Sequence, residues 1–287
     1  MKSTKMLWRV VGSIAFISTL LFMFGFVYAA QDIINPKPSD LNEGQTPVNT
    51  ATELFPQGEL TIVALGDSLS KGTGDLSGDG GYVGKAKKKL AELTKKPVNV
   101  LNYAVNGWRV NNLLKSLAEP NMKNLVRNAD IVLLTIGGND LNHASDNPID
   151  VTNSKTQPTP APAETAKTTN DLPEINYTEI KKGLPDIEQK LDQILTQIAT
   201  LNPKAKIVYV GLYNPYYTQD TTKEGSAILQ KWNLHAQQIA NKYPNMIVVP
   251  TYDLFQFEIG KYLYTDEFHP NTLGYERMAD RIVQALQ

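Results

Sequence analysis

Short runs in which nearly every residue is apolar alternate, from about residue 59 onward, with longer segments whose apolar residues recur every third or fourth position. The runs are LTIVALG (60–66), VNVLNYAV (98–105), ADIVLLTIGG (129–138), AKIVYVGL (205–212) and MIVVPTYDL (246–254). Between them lie GKAKKKLAELTKK (84–96), NNLLKSL (111–117), YTEIKKGLPDIEQKLDQILTQIATL (177–201) and GSAILQKWNLHAQQIANKY (225–243), with GYERMADRIVQALQ (274–287) after the last run. A continuous apolar run between amphipathic helices is the pattern of a strand buried on both faces, as in a parallel sheet covered by helices on either side. The predicted fold is an α/β three-layer sandwich, in which ligands bind at the carboxyl ends of the strands.

Two stretches break the alternation. Residues 31–58 are rich in Pro, Asn, Thr and Gln with few paired apolar positions, which predicts a disordered stalk before a folded domain at 59–287. Residues 147–176 are rich in Pro, Thr and Ala without periodicity, which predicts a flexible insertion, either a surface excursion or a mobile loop beside a site. Ahead of the stalk, Lys2, Lys5 and Arg9 precede an uncharged run at 10–30. That run is longer than a usual secretory core and about long enough to span a bilayer. It reads either as an uncleaved transmembrane anchor or as a signal peptide cleaved after VYA (27–29) or YAA (28–30). In both cases the basic flank places the domain outside the cytoplasm.

Composition narrows the chemistry. Lys plus Arg (28) nearly balance Asp plus Glu (29), for a formal charge of −1, so there is no basic field to hold nucleic acid. The chain has no cysteine, which excludes disulfides, thiolate nucleophiles and Cys-ligated zinc.

The run 60–66 stops at Gly66-Asp67-Ser68. Such a triplet is an ordinary strand-to-helix turn, with Asp67 or Ser68 as cap, or else a means of presenting a serine hydroxyl. Acyl transfer by serine also needs a histidine, a carboxylate to orient it and donors for an oxyanion. Of the three histidines, His235 falls mid-helix and His143 at the edge of the insertion, both in structural or solvent-facing settings. His269 follows Asp266 by three residues and precedes Pro270, in a turn where the carboxylate can reach the imidazole. Asn139 ends LLTIGGND, whose glycines offer close backbone approach to a substrate, and Gly107 ends NYAVNG with a candidate N–H donor.

Each motif alone is weak. In order, Gly-Asp-Ser, Gly107, Gly-Gly-Asn-Asp and Asp-x-x-His-Pro resemble the sequence blocks of the GDSL family of SGNH hydrolases across 59–287 less the insertion. The resemblance implies a flavodoxin-like fold that hydrolyses esters or thioesters without metal or cofactor. It implies Ser68 as nucleophile at a helix N-terminus, His269 as base oriented by Asp266, and an oxyanion hole from the Ser68 N–H, the Gly107 N–H and the Asn139 side chain. Asp67 fixes the turn. Trp108 and Arg109 depart from the small or hydroxylated residues common after the second-block glycine, as core or as an aromatic and cationic wall of the acyl pocket. The expected partners are a lipid or lysophospholipid ester and, through the N-terminal segment, a membrane. The alternatives are a carbohydrate O-acetylesterase and a surface binding module without turnover.

Overall fold

The computed structural model describes residues 12–13, 16–26, 58–142 and 176–287, in two units, Met1–Asn49 and Thr50–Gln287. In the first unit residues 16–26 are helical, with Phe22 and Phe24 exposed. No helix among the described residues is long and apolar enough to cross a membrane. The rest of the uncharged N-terminal run, its cleavage positions, residues 31–57 of the stalk, His143 and residues 147–175 of the insertion lie outside the described residues.

The second unit is built on five parallel strands: β1 (Leu60–Gly66), β2 (Val98–Asn102), β3 (Ile131–Thr135), β4 (Lys206–Val210) and β5 (Met246–Val249). Their order is β2-β1-β3-β4-β5. Every residue of β3 and all but one of β1 are buried, the burial that their unbroken apolar runs require.

Along the chain the helices are α1 (Ser68–Lys71), α2 (Gly81–Thr94), α3 (Val110–Ala118), α4 (Pro120–Arg127), α5 (Gly138–Asn142), α6 (Tyr177–Leu201), α7 (Glu224–Ala240), α8 (Tyr252–Gln256), α9 (Ile259–Tyr262) and α10 (Thr272–Ala285). In α6 the buried Ile180, Leu184, Leu191, Ile194, Leu195 and Ile198 recur at helical spacing, and the Asn176 side chain caps the first turn by accepting from the Glu179 N–H at 3.1 Å. Helix α10 packs on α2, whereas α6 packs on α3 and α7. Right-handed crossovers put these two groups on opposite faces, because the chain moves one way from β1 to β2 and the other way from β3 to β5.

That reversal positions the site. Gly66 at the end of β1 pairs with Thr135 at the end of β3, so the loops after both strands leave the same edge in diverging directions and open a crevice at the carboxyl ends. Some expected strands are shorter than their apolar runs. The chain leaves β2 after Asn102, whose side chain accepts from the Ala104 N–H at 3.0 Å and donates to the Ser70 carbonyl at 2.8 Å. Past β3, residues 138–142 turn into α5, and past β5 the chain passes Pro250 into α8.

Candidate active site

Asp67 is the cap that starts α1. Its Oδ1 accepts from the Leu69 N–H at 3.1 Å and from the Thr135 hydroxyl at 2.7 Å, and its backbone N–H donates to the Thr135 carbonyl at 3.1 Å. The Thr135 proton goes to Asp67, so the Ser70 hydroxyl donates to Thr135 at 2.7 Å and the Tyr82 hydroxyl to Ser70 at 2.6 Å. This buried relay binds the turn to β3 and α2. Burial pushes the Asp67 carboxyl above its ordinary range, against the pull of Thr135, the Leu69 N–H and the nearby His269. Helix α1 is a single turn, ended by Gly72 in the left-handed region, so its macrodipole is slight. What Ser68 gains from that position is the backbone N–H of a first helical residue, which has no carbonyl one turn earlier to bond.

Ser68 lies within hydrogen-bond reach of the imidazole of His269: Oγ to Nε2 is 2.8 Å. The other ring nitrogen, Nδ1, is 2.7 Å from Asp266 Oδ2. Asp266 also organises its own loop, Oδ1 accepting from the N–H groups of Phe268 at 3.0 Å and His269 at 2.9 Å. Burial raises the Asp266 carboxyl, but the hydrogen bonds from the His269 ring and from the two N–H groups outweigh it and hold the group below its ordinary value. The motif is not the cap of the last helix, because Asn271 accepts from Leu273 and Gly274 to start α10. From the other side Tyr213 fixes the loop, its hydroxyl donating to the Phe268 carbonyl at 2.6 Å.

Asn139 stands in α5, 8 % exposed, and its Nδ2 donates to the Trp108 carbonyl at 2.9 Å. One amide hydrogen thereby fastens the Gly107 turn to α5, and the second makes no hydrogen bond with the described residues. Gly107, at φ +76°, likewise donates its N–H to none of them. The preceding glycines serve the core more than a substrate. Gly137 lies at φ +107° with a Cβ position that falls on the Trp232 ring, and a Cβ at Gly138 would stand 3.9 Å from Asp67 Oδ2 and 4.0 Å from Leu212. Trp108 is half-buried and packs against the hydrophobic core. The Arg109 charge acts on Asp140, whose carboxyl burial pushes up to about 7 against the Val110 N–H and that same Arg109. His235 lies in α7, its Nε2 3.2 Å from the Glu188 carbonyl of α6.

Ser70, Thr135, Tyr82 and Tyr213 are the residues that motif reading misses. Thr135 carried a faint signal as the polar end of the otherwise apolar IVLLT, and Tyr213 carried none, since its partner lies 55 residues away. No group of acidic, histidine or cysteine side chains among the described residues is arranged to hold a metal ion. The arrangement can lower the cost of deprotonating one hydroxyl and can offer N–H donors on the same rim, which is the equipment of acyl transfer.

The model of the GDSL-like lipase/acylhydrolase family matches residues 64–277. The chain is 31 % identical over 232 residues to the uncharacterised protein YpmR of Bacillus subtilis (strain 168), spanning 79 % of this chain and 82 % of that one. It is 26 % identical over 227 residues to the spore germination lipase LipC of Bacillus licheniformis, spanning 78 % and 94 %. Among solved structures it is similar in fold to a lipase from a goat rumen metagenome, with a TM-score of 0.62 and 23 % identity over 79 % of this chain and 97 % of the other.

Proposed function

Because the chain belongs to the GDSL-like lipase/acylhydrolase family, whose members hydrolyse esters, we propose that Ser68 is its nucleophile and that it cleaves acyl esters of lipids or lysophospholipids through a serine acyl-enzyme. The observation that carries this reading is the unbroken chain from Asp266 through His269 to Ser68, at 2.7 and 2.8 Å. Asp266 Oδ2 accepts the Nδ1 proton and so leaves Nε2 with a free electron pair facing the serine. As Ser68 Oγ bonds to the acyl carbon, its proton passes to Nε2 and the carbonyl oxygen takes up negative charge. The Ser68 and Gly107 N–H groups and the second Asn139 amide hydrogen receive that charge. His269 then returns its proton to the departing alkoxide, and water, activated by the same imidazole, releases the acid and restores Ser68.

The apolar substrate accords with the lipase relative, LipC. We place the domain outside the cytoplasm, tethered or secreted by the N-terminal segment, on the strength of Lys2, Lys5 and Arg9 ahead of the uncharged run at 10–30. A fluorophosphonate probe tests for the activated serine: labelling at Ser68 supports turnover, and no labelling reduces the protein to a binding module. A panel of p-nitrophenyl esters from acetyl to palmitoyl, with lysophospholipid and acetylated glycans beside it, tests the substrate. A kcat/KM that rises with acyl length supports the lipid reading, whereas activity confined to acetyl groups and glycans replaces it with an O-acetylesterase. Recovery of the full chain in the membrane fraction indicates an anchor, and a mature chain beginning at Ala30 or Gln31 in the medium indicates cleavage.

A further inference from the structure

The loop that follows the serine turn, residues 72–81, folds back onto the segment that carries His269. Gly74 lies in the left-handed region at φ +92°, and a Cβ there would stand 2.6 Å from the Pro270 carbonyl oxygen and 3.2 Å from the His269 Cβ. The loop therefore passes directly against the histidine's own backbone. Three further bonds tie it down just beyond: the Thr272 hydroxyl donates to Asp75 Oδ1 at 2.8 Å while accepting from the Leu76 N–H at 3.2 Å, and the Tyr275 hydroxyl donates to the Thr73 carbonyl at 2.7 Å.

Asp75 is the hub of the loop. Its side chain is fully buried, and it also accepts from the Ser77 N–H at 3.0 Å, the Ser77 hydroxyl at 2.8 Å and the Gly81 N–H at 2.9 Å. Beneath it stands the ammonium of Lys85, from α2, only 4 % exposed. Lys85 Nζ donates to Ser77 Oγ at 3.0 Å and Asp79 Oδ2 at 3.2 Å, with Asp75 Oδ2 and Glu276 Oε2 each at 3.7 Å. A buried ammonium left without such partners is costly, so the loop's oxygens and this lysine hold one another in place.

We propose that Lys85, Asp75 and Thr272 form a clamp that sets the distance between Ser68 and His269, making them positioning residues for the acyl transfer. The clamp rests on the reading of Ser68 and His269 as nucleophile and base. It matters because these two side chains come from segments 201 residues apart, and α1, a single turn, supplies little rigidity of its own. The charges gathered there fit the role. Burial acts to raise the Asp75 carboxyl, but the bonds from Ser77, Thr272 and Gly81 outweigh it and draw it down to about 2, so the clamp keeps its carboxylate charge at neutral pH.

Thr272→Val and Thr272→Ser separate positioning from mere stability, since Val keeps the shape without the hydroxyl and Ser keeps the hydroxyl. For a short soluble ester, Thr272→Val is expected to lose about tenfold in kcat with KM within about twofold, and to lose the same factor in the rate of fluorophosphonate labelling. Thr272→Ser is expected to recover both rates, and Lys85→Met to repeat the loss if it folds. Ser68→Ala is run beside them. If Ser68→Ala is inactive while Thr272→Val turns over and labels as wild type, the clamp is overturned and the catalytic reading stands. A lowered melting temperature with unchanged rates, or a loss that Thr272→Ser does not repair, overturns it equally. If Ser68→Ala remains active, the catalytic reading itself falls.

Discussion

Ser68 is 5 % exposed, its Oγ 2.8 Å from His269 Nε2, so in the proposed mechanism its proton faces the acceptor before a substrate arrives. Ser68→Ala is therefore expected to lower kcat/KM by at least about 10³-fold with an unchanged circular dichroism spectrum, because one oxygen leaves without opening a core cavity. Asn139→Ala should lose about 10²–10³ in kcat, the usual loss for one oxyanion donor. It should raise KM as well, since the same amide holds the Trp108 carbonyl and with it the Gly107 turn. Asp266→Asn should cost less than His269→Ala, because a neutral amide disturbs the tautomer whereas alanine removes the base; equal losses in kcat would show that the carboxylate does more than orient. The residues of this hydrogen-bonded chain were legible in the sequence through the order of their motifs, which resembles the GDSL family; the local bonds between Asp67 and Leu69 and between Asp266 and His269 show why each motif is a compact turn. The second task of Asn139 was not legible. It depends on the distance between two loops, which no spacing along the chain encodes.

At the scale of elements, continuous apolar runs gave the five strands and helical periodicity gave the long helices, α6 from Tyr177 to Leu201. The misses follow from length. Helix α4 buries only Met122 and Val126, too few positions to show a period; α8 and α9 are single turns, and α8 begins inside the run 246–254 that read as strand. Gly137 joins element to site. A Cβ there meets the indole of Trp232, whose Nε1 donates to the Tyr209 hydroxyl at 2.7 Å, and that hydroxyl donates to the Ile136 carbonyl at 2.8 Å. Gly137→Ala is expected to cost about 1–3 kcal/mol by urea unfolding, from the strained backbone and the displaced ring together. It should also lower kcat for residual folded enzyme, because Asn139 lies two residues on; an unaltered midpoint would mean that the Trp232 side of the sheet yields freely.

For the whole molecule, buried carboxyls set opposing slopes of stability against pH. Asp140 titrates at about 7 when folded against 3.8 when free, so its contribution is complete below about pH 4 and is lost as the pH rises towards 7. Asp75, held at about 2, contributes above about pH 4 and loses that contribution as the pH falls towards 2. Urea midpoints measured from about pH 5 to 8 should fall less in Asp140→Asn than in the wild type, and parallel curves would remove Asp140 from the account. The separation of Ser68 from His269 by 201 residues has a consequence in time. A ribosome must make almost the entire chain, and the last helix must dock, before Ser68 meets His269, so under the proposed mechanism the protein is chemically silent throughout its synthesis. Covalent labelling of Ser68 thus reports completed folding: in refolding experiments it should lag behind the recovery of helical signal and coincide with the docking of α10 on α2.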